Sequence, residues 1–257
     1  MKIKNRLLTI LLVIITAFSL FGCNIALNSE DIKVLNNLTE KSIICATVKV
    51  RSFGEKKWGY DGKEYYEGAD GSGVIFKEED SNSGTTFYVL TNNHVVYIGI
   101  NGYKVFNSYG DEFKASLVCH SPNYDLAVVK FTADKTKRDY KTLTISKNDV
   151  SLGGKIIAIG NPLGQLNAIT MGKVEGFTKI NLTDVSQEEI NIDFPIVSHT
   201  APINSGSSGG ALLNYNYEIC GINYACDRGV ESDNFIHAYA IPSSKILEFL
   251  KNNGIEI

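Results

Sequence analysis

Three short stretches carry residues that can break an acyl bond. Ser208 lies in Ile203-Asn204-Ser205-Gly206-Ser207-Ser208-Gly209-Gly210-Ala211-Leu212-Leu213, where small and polar residues lead through two glycines into an apolar run. A tight turn feeding a buried strand presents one side chain at a cleft wall. Gly206 can take positive φ, so the N–H groups of Gly206 and Ser208 can converge on a carbonyl oxygen as an oxyanion hole. His94 follows Thr91-Asn92-Asn93 at a strand end, and Asp125 immediately precedes the apolar run Leu126-Ala127-Val128-Val129. A carboxylate at the mouth of such a run is partly buried and needs a partner. Amide hydrolysis needs an activated hydroxyl, a base that titrates near working pH and a group that fixes the base's tautomer. Ser208, His94 and Asp125 supply one of each. Singly they have ordinary readings as a Gly/Ser linker, a structural histidine and a turn aspartate. Their coincidence in one chain favours the chemistry.

The elements that must position these residues are short and β-rich. Strand signals run through Ile43–Val50, Gly71–Phe76, Thr86–Thr91, Tyr103–Phe106, Phe113–Cys119 and Asn123–Phe131. A second set covers Lys155–Gly160, Ile169–Val174, Pro195–Ser198, Ala211–Leu213, Glu218–Ala225 and Ala238–Pro242. Lys56 to Tyr66 reads as a hairpin or surface loop, Glu78 to Gly84 as a loop, and Thr183 to Asn191 as a polar loop. The charged, aperiodic stretch Thr132 to Lys141 reads as the connection between two halves. Only Ser243 to Asn253 reads as a helix, capped by Ser243 or Ser244, carrying a stripe of Ile246, Leu247 and Leu250, and ended by Gly254. Many short strands with one terminal helix predict an all-β sandwich or pair of barrels. A βαβ architecture needs helices between strands, and the pattern contains none.

The N-terminus reads as an export signal. Lys2, Lys4 and Arg6 precede the apolar stretch Leu7 to Phe21, whose 15 residues fall short of the ~20 that span a bilayer. Leu20-Phe21-Gly22-Cys23 is similar to the lipobox of bacterial lipoproteins, which implies cleavage after Gly22 and lipidation of Cys23. Residues 24–40 then read as a polar tether with room for a short helix, and the fold starts near Ser42. Formal net charge is -3, and loss of the three basic residues in the first 22 makes it -6, which excludes a global basic field for nucleic acid. Cys45, Cys119 and Cys220 lie in apolar runs and, with Cys226, read as buried thiols ahead of disulfides. No C-x-x-C spacing or His/Cys cluster points to zinc, and no motif implies a cofactor.

Thr91-Asn92-Asn93-His94-Val95-Val96, Asp125-Leu126-Ala127-Val128-Val129-Lys130, Ala158-Ile159-Gly160-Asn161-Pro162-Leu163-Gly164, the Ser208 stretch and Ala238-Tyr239-Ala240-Ile241-Pro242 together resemble the trypsin-like serine proteases of the HtrA/Deg type. The similarity runs from about Ser42 to Lys251. It implies a chymotrypsin-like double six-stranded β-barrel with a C-terminal helix, divided as residues 42–145 and 146–257, after a signal peptide (1–22) and a lipidated tether (23–41). It also implies His94 as general base, Asp125 as its orienter, Ser208 as nucleophile, and Gly206 and Ser208 as oxyanion donors. Pro202, Ile222 and Asn223 would line the substrate pocket. Pro202, six residues before Ser208, stands where such enzymes place the pocket floor, so no acid is there to pair with Arg or Lys, and a small or medium apolar P1 residue is expected. Expected partners are polypeptide substrates and a membrane reached through the lipid, with a role in envelope protein quality control.

The chain also departs from the family pattern. Ser205 and Ser207 replace the usual Pro and Asn, and Thr200 stands where Asp is common. These changes touch the loop whose order sets the oxyanion hole. The chain stops at Ile257, where family members continue into a PDZ domain, so control through such a domain is not assumed. Two rival readings follow. Gly206-Ser207-Ser208-Gly209-Gly210 also fits the G-x-S-x-G elbow of α/β-hydrolases, with Asp227 or Asp233 and His237 downstream. That elbow needs a following helix, and Asn214-Tyr215-Asn216 does not begin one. The order His94, Asp125, Ser208 is instead that of the chymotrypsin-type triad, leaving His120, His199 and His237 as structural or surface residues. The second rival is a protease-fold binding or chaperone-like module whose oxyanion loop is never ordered.

Overall fold

The computed structural model describes residues 27–82, 84–162, 165–180, 192–228 and 235–257. Twelve strands dominate these residues. β1 (Thr47–Trp58), β2 (Glu64–Ser81), β3 (Gly84–Thr91), β4 (Tyr103–Phe106), β5 (Glu112–Ser121) and β6 (Leu126–Ala133) form one set. β7 (Lys155–Gly160), β8 (Ala168–Thr178), β9 (Ile196–His199), β10 (Ala211–Asn214), β11 (Ile219–Arg228) and β12 (Phe235–Pro242) form the other. Each set closes into an antiparallel barrel, ordered β1-β2-β3-β6-β5-β4 and β10-β11-β12-β9-β8-β7. The fold expected from the sequence is therefore the fold observed.

Period-two alternation explains the barrels. Along β1, Val48 and Val50 turn inward while Lys49 and Arg51 stay half-exposed. One apolar cluster, including Val48, Val50, Phe87, Val89 and Phe131, fills the first barrel. A second, rich in small residues such as Ala158, Ala201, Ala238 and Ala240, fills the other. The largest cluster joins them, with Val74, Leu90 and Leu126 of the first barrel packed with Ile157, Ile159, Leu213 and Ile222 of the second. This shared core sets the two barrels against each other and so sets the cleft. The chain crosses between barrels where the Leu143 N–H donates to Ile75 and Ile145 pairs in parallel with Ile219.

Besides Ile43–Ala46, read as strand but forming a short 3-10 helix ahead of β1, three local expectations need correction. Glu78 to Ser81 belongs to β2 and pairs with β3 as a hairpin. Residues 29–40, read as a tether with room for a short helix, form helix α1 (Ser29–Glu40), and it is packed into the fold. Asn28 caps it by accepting from the Glu30 and Asp31 N–H groups at 2.9 and 3.0 Å. Val34 and Leu38, one helical turn apart, are buried in the shared core. Asp31 accepts from Lys155 Nζ at 2.9 Å and from the Tyr215 hydroxyl at 2.8 Å. Burial alone would raise the Asp31 carboxyl, but hydrogen bonds led by Lys155 hold it below the usual carboxylate range. Two apolar positions and one acid are too short a pattern to stand out in a polar segment. Third, helix α3 (Ser243–Asn252) takes its cap from outside: the Ser244 N–H donates to Asp149 Oδ1 at 2.8 Å, and the Ser243 hydroxyl donates to the same oxygen. Gly254, at φ +68°, follows its end. The signal segment and Cys23 lie outside the described residues, as does the Thr183–Asn191 loop.

Candidate active site

His94 lies on a single-turn helix, α2 (Asn93–Val96), directly after β3. Asp125 ends the turn before β6, fully buried at φ +47°, a left-handed conformation that Asp tolerates better than most residues. Its backbone is fixed at both ends, since its N–H donates to Pro122 at 3.2 Å and its carbonyl accepts from Asn92 Nδ2 at 2.9 Å. The carboxylate holds His94 twice. Oδ1 accepts the His94 backbone N–H at 2.8 Å, and Oδ2 lies 2.7 Å from Nδ1. A carboxylate only accepts, so neutral His94 carries its proton on Nδ1 and leaves Nε2 basic.

Ser208 sits in the loop between β9 and β10. Its Oγ donates to the Tyr224 carbonyl at 3.2 Å, and the Tyr224 ring meets the His94 ring edge-on at 6.1 Å between centroids. Tyr224, buried on β11, thus touches both side chains. The loop is closed by its own bonds despite its two unusual serines. The Asn204 N–H donates to Ser207 Oγ at 3.2 Å, the Ser207 N–H to the Asn204 carbonyl at 2.8 Å, and the Ser205 N–H to Asn204 Oδ1 at 2.8 Å. Thr200 Oγ1 accepts from the Lys173 N–H at 2.9 Å. Gly206 is at φ +90° and Gly209 at φ +84°. A Cβ on Gly209 would stand 2.2 Å from the Ser72 carbonyl oxygen and 2.3 Å from Thr91 Oγ1, so only glycine fits. Among the described residues, neither the Gly206 nor the Ser208 N–H donates to another protein group.

The remaining expected residues separate. Pro202 is half-buried ahead of the Ser208 loop. Ile222 and Asn223 are both buried but are neighbours on β11, so their side chains face opposite sides of the sheet. Ile222 packs into the shared core. Asn223 donates through Nδ2 to the Ala211 carbonyl at 3.3 Å, and its Oδ1 is buried with no partner among the described residues. His237 is half-buried at the surface and pairs with Glu175 at 2.7 Å. His199 is fully buried, and burial lowers its pKa to about 3. The Ala201 backbone eases this shift without reaching hydrogen-bond geometry. Cys45 and Cys220 are buried free thiols and Cys119 a half-buried one. Among the described residues, no group of three or more His, Cys, Asp or Glu side chains could hold a metal ion.

Two residues escaped the sequence reading. Tyr224 lies 16 positions from Ser208, in a stretch legible only as a strand. Ser72, on β2, donates from N–H to the Ser208 carbonyl and from Oγ to the Gly206 carbonyl, both at 2.7 Å. Its one visible signal is the pair of flanking glycines, Gly71 and Gly73, which read as a turn into a strand but lie within β2.

Residues 71–222 match the trypsin-like peptidase domain family. The Serine protease Do-like HtrA of Bacillus subtilis is 36% identical over 188 residues, which cover 72% of this chain and 39% of that protein. The probable periplasmic serine endoprotease DegP-like of Brucella suis is 35% identical over 192 residues, covering 73% and 34%. The chain thus spans well under half the length of these relatives. The active form of the Rv3671c protease from M. tuberculosis superposes with a TM-score of 0.64 over 86% of each chain at 18% identity, a likeness of fold alone. The serine endoprotease from Yersinia pestis gives 0.56 over 82% of this chain and 63% of its own, at 26% identity. The chain belongs to the trypsin-like peptidase domain family, and within it is similar to serine proteases of the HtrA type.

Proposed function

We propose that this protein is a serine endopeptidase working through an acyl-enzyme. The observation that carries the reading is the double hold of Asp125 on His94, beside a serine flanked by two undonated N–H groups. In this reading Ser208 Oγ turns from the Tyr224 carbonyl toward His94 Nε2. It attacks the scissile carbonyl carbon as Nε2 takes its proton. The carbonyl oxygen becomes an oxyanion facing the Gly206 and Ser208 N–H groups. Collapse breaks the C–N bond, and His94 returns the proton to the departing amine. Water then repeats the sequence, releasing the acid and restoring Ser208. Asp125 stays ionised and stabilises the imidazolium formed in each half.

Pro202 places no acid at the expected pocket floor, so small or medium apolar P1 residues are preferred over Arg or Lys. The periplasmic relatives and the N-terminal apolar stretch support export. Cys23 supports lipid anchoring to the cell membrane, with a role in envelope protein quality control. The Ser208–Tyr224 hydrogen bond favours one second reading, a binding module with a resting serine.

Labelling of residues 24–257 by a fluorophosphonate, alongside Ser208→Ala and a casein digest, separates the two. Label lost in the variant, with casein cleaved by the parent, supports the endopeptidase. A parent that takes no label supports the binding module.

A further inference from the structure

Ser72 lies on the first barrel, yet its N–H and its hydroxyl both donate into the Ser208 loop. Its N–H donates to the Ser208 carbonyl at 2.7 Å, and its Oγ donates to the Gly206 carbonyl at 2.7 Å. The same Oγ accepts the Asn161 N–H at 2.7 Å, and the Ser72 carbonyl accepts from Thr91 Oγ1 at 2.7 Å. The residue is fully buried. Asn161 belongs to the second barrel and is itself tied to the first, donating from Nδ2 to the Val48 carbonyl at 2.8 Å. Ser72 thus stands where both barrels and the Ser208 loop meet. It grips the carbonyls of the two residues whose N–H groups face the oxyanion in the reading above.

The Gly206 carbonyl belongs to the Gly206–Ser207 peptide, so its bond to Ser72, with φ at +90°, restricts the swing of the preceding peptide that carries the Gly206 N–H. There is little slack to lose that restriction by repacking. A Cβ on Gly160 would stand 3.2 Å from Ser72 Oγ and 3.1 Å from the Ser207 Cα. Removing the Ser72 hydroxyl would leave the part-buried Gly206 carbonyl and the buried Asn161 N–H without this partner.

We propose that Ser72 is a positioning residue for the oxyanion hole: its hydroxyl, donating to the Gly206 carbonyl while accepting from Asn161, fixes the Gly206–Ser207 peptide and so limits the turn of the adjoining Ser205–Gly206 peptide, whose N–H faces the scissile carbonyl. The hole is then assembled only when the two barrels are docked. This rests on the endopeptidase reading and adds to it a residue that touches no substrate.

The test uses the full chain, purified in detergent, as wild type and Ser72→Ala. The readouts are kcat per titrated site, KM, and affinity for a peptidyl boronic acid, whose tetrahedral adduct places an oxygen in the hole. Deleting an oxyanion donor outright costs ~10²–10³ in turnover. A donor turned aside costs less, so kcat and boronate affinity should each fall about tenfold while KM stays within about twofold. Binding of an uncleaved peptide, measured on a Ser208→Ala background, should not change. A merely structural role would lower the melting temperature and leave kcat per titrated site and boronate affinity intact, and that result would overturn the proposal. If Ser72→Ala does not fold, Ser72→Cys, which keeps a weak donor, takes its place: a smaller loss in the same two readouts supports the assignment, and none overturns it. A wild type that forms no boronate adduct would overturn the endopeptidase reading itself, and Ser72's role with it.

Discussion

Asp125 binds His94 through both carboxylate oxygens, Oδ1 on the backbone N–H at 2.8 Å and Oδ2 on Nδ1 at 2.7 Å. One fully buried acid therefore sets the position of the histidine's backbone and the tautomer of its ring. Asp125→Asn presents an amide where Nδ1–H needs an acceptor, and favours the wrong tautomer. Turnover should fall about 10⁴-fold with little change in peptide binding, as steady-state kinetics on a peptide substrate will show.

Glycine at position 209 is a requirement of the fold around Ser208. Gly209→Ala adds a Cβ 2.2 Å from the Ser72 carbonyl oxygen at a positive φ. Strain at such a site is of order 1–3 kcal/mol before any clash is counted. Urea unfolding should show a loss at least that large, and fluorophosphonate labelling should fall with it.

His199 makes the fold acid-sensitive. Its pKa is about 3 in the folded protein against 6.5 for the free side chain. Below pH 6.5 the unfolded chain binds a proton that the folded one excludes, so stability present above that pH is lost as pH falls toward 3. The slope approaches roughly 1.4 kcal/mol per pH unit. His199→Leu removes this contribution. Melting temperature against pH should be flatter for the variant between pH 6 and 4, and equal slopes would show that His199 is not responsible.

Helix α1 is part of the packed structure. Leu38 is fully buried in the shared core, so Leu38→Ala should cost about 2–5 kcal/mol. Thermal unfolding would detect it, whereas a free tether would tolerate the change.

Lipidation of Cys23 is tested by Cys23→Ala. The variant should leave the membrane fraction for the soluble fraction if lipid is the anchor, which fractionation and immunoblotting will show.

Much of the fold was legible because barrels are built from local patterns. The strands at Tyr103–Phe106 and Lys155–Gly160 have the bounds that the residues predict. Alternation and apolar runs depend only on near neighbours, and turn residues punctuate them. The parts of the candidate site were legible for a similar reason. His94, Asp125 and Ser208 each sit where a strand meets a turn, and their coincidence in one chain, more than any one of them, points to the chemistry.

What joins those parts was not legible. Ser72 and Gly206 are 134 residues apart, Asp149 and Ser244 are 95, and Tyr215 and Asp31 are 184. A hydrogen bond between distant segments leaves no periodicity in either. The sequence by itself determined the twelve strands, the closing helix and three side chains able to do acyl-transfer chemistry, because backbone geometry and hydrophobic burial act locally. Only the tertiary structure decided that α1 docks, that Ile222 and Asn223 face apart, and that a serine of one barrel holds the loop of the other. Those outcomes follow from how two closed barrels pack, and the shared core between them is formed by residues from both halves of the chain.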